Sequence, residues 1–350
     1  MRFSWAFVVS RLMSTSWVAL QIVTGVEGAA LKNVPDPRSE RSSFVYEKVH
    51  VAVDLSTSYG AIWVTYPNEE DHWFTGAEAP AEYKEAMAQL SIQPAPYTHV
   101  GQKTLSNQIR ANISPKSLDI APFAKMISLL LLQVETYLGF RPTEIAVIAP
   151  HLKGLTEDHL IEACSQANIA YFPWPDRKNP IVYETQAVFA GYGHGLCKSW
   201  DWEEQCRREE QEMEEYDVYT VHYSGNALTT SLTRKRSAQD GEEDKHFENF
   251  DLGFDARPAD PSNDAPESRQ FWKDVEAEMK RVVEQRGKDD VKPTLVIMHG
   301  DKILERFFLE ALRNAIHEGA PFLGDPPLDY WDVIYAPARG AAELMRRARK

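Results

Sequence analysis

The sequence predicts a two-halved α/β protein in which each half opens with a β-hairpin. Two observations carry this. A succession of hairpin, helix, strand and helix patterns begins near residue 50, and the same succession returns near residue 218. The chain of 350 residues, 43% of them apolar, is also long enough to bury the core of one large two-lobed unit or of two medium domains.

The elements follow in order. Residues 1–30 read as a signal or targeting segment: Arg2 and Arg11, no acid before Glu27, and an apolar run from Trp17 to Val26. A run of about ten residues is too short to span a bilayer but suits a signal-peptide core, and Gly28, Ala29 and Ala30 stand where cleavage would fall. The pattern predicts a secretory or extracellular protein with no integral membrane segment. An Arg- and Ser-containing, acid-free start also suits a mitochondrial transit peptide, and an untargeted cytoplasmic start stays open. Residues 31–47, polar and Pro-containing, read as a linker. Residues 48–217 form the first lobe and 218–350 the second.

In the first lobe, Val51, Val53, Ile62 and Val64 alternate around a small-residue turn and predict two strands. Leu118, Met126, Leu129, Leu130 and Val134 recur at helical steps, so the run from Leu129 to Leu132 reads as the core of a helix. A strand over 144–149 ends at Pro150, and Thr156 is an N-cap with Glu157 and Asp158 in the first turn behind it. Residues 201–217 hold nine acids and read as a solvated helix. In the second lobe, 218–232 repeats the strand–turn–strand pattern. Residues 234–268, rich in charge, Pro, Ser and Asn, read as a mobile insertion. Trp272, Val275, Met279 and Val282 mark an amphipathic helix, a strand follows at 294–298, and a basic helix starts near Pro337.

A net charge of −14 excludes a general nucleic-acid binder, which needs cationic surface, and docking on anionic lipid. Three cysteines offer no metal-ligand spacing. Cys197 and Cys206 close a small loop if the compartment is oxidising, leaving Cys164 as a buried thiol, and all three are packing residues if it is not. The tripeptide Asn112-Ile113-Ser114 is a glycosylation sequon on the secretory reading.

From about His50 to Met345 the residues resemble the actin-like ATPase superfamily, in particular the nucleotide-binding domain of seventy-kilodalton heat-shock chaperones. Ala52-Val53-Asp54-Leu55-Ser56-Thr57-Ser58-Tyr59-Gly60 resembles the first phosphate loop, and Ala146-Val147-Ile148-Ala149-Pro150 the family's "VTVPA" strand. The stretch from Tyr183 to Gly193 is similar to the "EPTAAALAYG" connector, and Ala336-Pro337-Ala338-Arg339-Gly340-Ala341-Ala342 to the "AVARGAA" helix. The resemblance implies a two-lobed ribonuclease H-like fold whose hairpins are phosphate loops. It implies ATP or ADP with Mg2+ as ligand, Asp54 as metal-binding and catalytic carboxylate, and Glu184 as a second catalytic carboxylate. Ser56, Thr57, Ser58 and Tyr59, then Ser224, Gly225 and Asn226, then His299, Gly300 and Asp301 would line the nucleotide. Small residues in such turns let backbone N–H groups approach phosphates, while carboxylates hold the hydrated cation.

The departures from the family are chemical. Ser56 replaces a glycine, His222 an aspartate, and Ala227 a threonine; His299 and Asp301 replace a glycine and a small hydroxyl residue. Imidazole is a poor substitute for carboxylate beside Mg2+. No lysine between Pro67 and Asn112 is assigned to the family's phosphate contact. Structural alternatives stand beside these roles. Asp54 suits a turn cap and Glu184 the positive end of a helix dipole, while His222, with no His or Cys at ligand spacing, reads as a cleft histidine. The sequence carries no counterpart of the chaperones' substrate-binding β-domain and lid. The expectation is a nucleotide-binding protein with weak or no ATP hydrolysis, or alternatively a pseudo-ATPase that serves as a protein-interaction scaffold.

Overall fold

The computed structural model describes residues 49–66, 72–92, 119–174, 181–240, 245–258, 265–284, 293–316, 322–323 and 330–348. The chain divides into compact units at 1–44 and 45–350, and every described residue belongs to the second. The targeting segment, the linker and the Asn112 sequon lie outside the described residues.

Two five-stranded sheets share one design. The first holds β1 (His50–Leu55), β2 (Tyr59–Thr65), β3 (His72–Glu78), β4 (Glu144–Ile148) and β5 (Ala170–Tyr171) in the order β3-β2-β1-β4-β5. β2 runs antiparallel to both β1 and β3, whereas β4 runs parallel to β1 and β5 parallel to β4. The second sheet holds β6 (Tyr216–Tyr223), β7 (Leu228–Lys235), β8 (Lys245–Asn249), β9 (Leu295–His299) and β10 (Phe322–Leu323), in the order β8-β7-β6-β9-β10 with the same pattern of directions. Helices α1 (Ala81–Ile92) and α2 (Ala121–Leu138) connect β3 to β4, and α3 (Glu157–Gln166) connects β4 to β5. Next come α4 (Glu184–Gly191) and α5 (Glu203–Glu212), then α6 (Pro266–Glu284) before β9, α7 (Arg306–Ala315) before β10, and finally α8 (Tyr330–Ala348). Parallel neighbours require crossovers of this kind. This doubled order is the two-lobed actin-like, ribonuclease H-like fold.

Side-chain alternation on the strands builds two cores. Val51, Val53 and Leu55 of β1 face α1 and α2, with Ile62, Met87, Leu90, Met126 and Leu130 in the same cluster. The intervening Ala52, with Ala61 and Ala146, faces the other way, into a cluster that runs through α4 and α8 to the second sheet. Alanines on that face admit α8, whose Ala336, Ala338, Ala341 and Ala342 are buried. At the crossing of α4 and α8 a Cβ on Gly340 would lie 1.8 Å from the Ala187 carbonyl oxygen, and one on Gly191 2.0 Å from that of Ala336. The two backbones touch because neither position carries a side chain.

Thr156 caps α3 as expected, its hydroxyl accepting from the His159 N–H while His159 Nδ1 accepts from the Thr156 N–H. Trp272, Val275, Met279 and Val282 form the buried stripe of α6. Three expectations need correction. Within 234–268, read as a mobile insertion, the described residues include β8, paired with β7 from Leu228 to Leu232, and short 3-10 turns over 250–256. Backbone pairing with the edge of β7 orders the segment, and Phe247, Leu252 and Phe254 pack against the core. The last helix begins at Tyr330, not near Pro337, so Pro337 is interior to it. In α2, Leu130 and Leu131 are buried, but Leu129 and Leu132 are exposed, because a four-residue run covers a full helical turn.

Candidate functional site

The parallel strands of both sheets end at one place. The turn of residues 56–58 follows β1, the turn 224–227 follows β6 and Gly300 follows β9, while Glu184 opens α4 beside the end of β4, its N–H donating to the Ala149 carbonyl. Carboxyl ends of strands are where open α/β sheets present ligand-binding groups.

Side chains from the two turns bond directly to one another. Ser56 Oγ lies 2.9 Å from His222 Nε2, and Thr57 Oγ1 2.7 Å from Ser224 Oγ. The Ser58 hydroxyl donates to Asp301 Oδ1 at 3.0 Å, and the same oxygen accepts the Gly225 N–H at 3.2 Å. The Asn226 amide donates to the carbonyls of Thr57 and Lys84 at 3.2 and 3.0 Å. Ser56, Thr57, Ser58, His222 and Ser224 are all buried. An anion approaching the amides of these turns has to displace the Asp301 carboxylate and part the turns. Mg2+ also fits poorly, because His222 stands among the donors and Mg2+ selects oxygen. The residues present therefore do not match a magnesium–nucleotide ligand.

Behind the turns lies a buried polar cluster. Asp54 is fully buried at the end of β1. Burial raises its pKa, and a hydrogen bond with the Glu184 carboxyl opposes part of that rise. Glu184 Oε2 lies 3.9 Å from His222 Nδ1. The His222 and His299 rings stack with centroids 4.8 Å apart. Burial lowers both imidazoles, His222 to about 3, so both are neutral. Tyr59 presents its ring to His222 at 6.4 Å, and its phenol is raised by burial and by the charges of Asp54, Glu184 and Asp301.

Gly300 makes this approach possible. It has φ +117°, and a Cβ there would sit 2.2 Å from the Tyr223 carbonyl oxygen and 2.8 Å from His222 Cδ2. Its N–H donates to the Val333 carbonyl at 2.9 Å. In an unbroken helix that carbonyl would serve residue 337, but Pro337 has no N–H to give. The interior proline thus frees an acceptor for the site.

Every residue expected from the sequence reaches this place: Asp54, Ser56, Thr57, Ser58, Tyr59, Glu184, Ser224, Gly225, Asn226, His299, Gly300 and Asp301. No His or Cys lies at ligand spacing from His222 along the sequence, but β9 brings His299 beside it in space. Others were missed. The Tyr83 hydroxyl donates to the Ser56 carbonyl at 2.9 Å, and Thr229 Oγ1 lies 3.5 Å from His222 Nδ1. Lys84 flanks the turns, and its ammonium pairs with Asp255 at 3.2 Å and Glu78 at 3.6 Å. Tyr83 carried a readable signal: with Ala86, Met87 and Leu90 it forms a helical stripe.

No protein-family model matches the chain, and no curated protein matches it. Among solved structures, the ethanolamine utilization protein EutJ from Carboxydothermus hydrogenoformans is similar over 85% of this chain and 90% of its own, with 12% identity and a TM-score of 0.47. The fold assignment stands on the strand order of the two sheets rather than on this likeness.

Proposed function

We propose that this protein is a pseudo-ATPase, an actin-like fold in which the two phosphate-loop turns bind each other and which serves as a protein-interaction scaffold. One observation carries the reading: Asp301 Oδ1 accepts from Ser58 of the first turn and from the Gly225 amide of the second. An internal carboxylate thereby occupies the position between the turns that the family resemblance gives to a phosphate. The hydroxyl pairs Ser56–His222 and Thr57–Ser224 close the rest. Binding of ATP or ADP with Mg2+ would cost these buried hydrogen bonds, each worth about 0.5–1.5 kcal/mol, before any contact is gained. The Cys197–Cys206 disulfide favours an oxidising, secretory or extracellular setting, where the scaffold role needs no ATP supply. No helix among the described residues is long and apolar enough to cross a membrane.

Thermal melting with millimolar ATP or ADP and Mg2+ tests the reading. The expected result is an unchanged midpoint for the wild type. Asp301→Ala, which bares the Ser58 hydroxyl and the Gly225 amide, is expected to gain a small nucleotide-dependent rise. Saturable stabilisation of the wild type, near 2.7 kcal/mol at a hundredfold excess over Kd, overturns the proposal and restores the nucleotide-binding alternative.

A further inference from the structure

We infer that Glu184, His222 and His299 form a binding site for a single divalent transition-metal ion, zinc by preference, clamping the two halves of the fold together. This goes beyond the pseudo-ATPase reading and does not depend on it.

One ligand atom from each of the three residues lies within 4.8 Å of the others, and all three residues are buried. Two imidazoles and one carboxylate suit borderline-soft Zn2+ and, unlike an all-oxygen set, do not suit Mg2+. The donors come from α4, β6 and β9, so a bound ion ties the first sheet's connector to two strands of the second. A fourth donor is at hand. Asp54 is fully buried, and apart from Glu184 neither of its oxygens has a hydrogen-bond partner among the described residues. His299 Nδ1 is likewise buried without a partner among them. The other compact donor group among the described residues, Cys197, Cys206 and Glu210, has its sulfurs joined in the disulfide.

The surroundings also orient His222. Its Nε2 meets Ser56 Oγ at 2.9 Å, leaving Nδ1 directed toward Glu184 Oε2 at 3.9 Å. A ligating imidazole characteristically gives its other N–H to such an outer partner, which fixes the tautomer. Tetrahedral bonds of about 2.0–2.2 Å place donors roughly 3.3–3.5 Å apart. Loading therefore draws the cluster inward and turns one ring out of the His222–His299 stack.

The test uses the full chain, stripped with a chelator and titrated with Zn2+, Co2+ and Mg2+, followed by elemental analysis, melting and visible absorption. The expected outcome is one equivalent of Zn2+ with a raised melting midpoint, a tetrahedral Co2+ spectrum, and no response to Mg2+. His299→Ala and Glu184→Gln should each weaken Zn2+ binding by at least about 100-fold, and Ser56→Ala by about 10–100-fold. Glu184→Gln keeps the side-chain shape and so separates lost ligation from lost folding, which circular dichroism reports. No stoichiometric binding, an octahedral Co2+ spectrum, or affinity unchanged in His299→Ala and Glu184→Gln overturns the inference. Unchanged affinity would place the ion elsewhere on the protein.

Discussion

At Gly300 a positive φ, a close backbone neighbour and a hydrogen-bond duty coincide. Any side chain there meets the Tyr223 carbonyl at 2.2 Å, in a conformation that L-residues rarely adopt. Gly300→Ala is expected to destabilise the protein by about 2–4 kcal/mol, seen in urea unfolding as a lower midpoint with an unchanged slope. A midpoint equal to wild type would mean that the turn after β9 relaxes freely. The turn residues of the site were legible because strand–turn–strand alternation and small residues are local signals: Ser56, Thr57 and Ser58, then Ser224, Gly225 and Asn226. The partnership of His222 with His299 was not legible. Metal-ligand spacing is read along one chain segment, whereas these two rings meet only because β9 lies beside β6, with His222 paired opposite His299. For the same reason nothing local reveals that Asp301 reaches both turns.

Among the elements, α4 and α8 cross more closely than ordinary side chains allow. Both segments carry glycine where their two backbones meet. Gly340→Ala pushes a methyl against the Ala187 carbonyl, a backbone atom that cannot swing aside as a side chain can. The expected loss is about 3 kcal/mol or more, with α8 displaced from the first sheet. Hydrogen exchange should report this as faster exchange in α4 and α8 together; faster exchange in α8 alone would show that the crossing is not shared. The start of α8 was misread because proline favours the first helical turn. Inside the helix, Pro337 is accommodated since the carbonyl it strands, Val333, accepts from Gly300 instead. That compensation comes from another strand, so no window of sequence around Pro337 contains it. The edge strand β3 was missed for a related reason: its residues are only partly buried, so alternation is weak.

Over the whole molecule, α8 packs on β1, β2, β4 and α4 and also contacts β9, so its anchoring bears on both halves. The end of α8 is fastened by the disulfide loop. Arg347 donates to the Cys197 carbonyl, and the Arg346 guanidinium stacks 4.3 Å above the Trp200 ring. Glu209 braces the loop from within, accepting the N–H groups of Lys198 and Ser199 at 2.6 and 3.1 Å and the Ser199 hydroxyl at 2.7 Å. Cys197 and Cys206 are nine residues apart, and closing so short a loop removes unfolded-state entropy worth roughly 2–3 kcal/mol. Reduction should therefore lower the melting midpoint by about 5 °C, and Cys206→Ala should melt near the reduced wild type and ignore reductant. Thiol titration checks the chemistry independently. Cys164 is buried, and burial pushes its thiol up to about 12, so it stays silent in the folded protein. The native protein should titrate no thiols, the unfolded protein one before reduction, and the unfolded protein three after it. If two thiols appear on reduction while the midpoint holds, the loop is fastened by Glu209, Arg346 and Arg347 alone, and the disulfide adds nothing to the anchoring of α8.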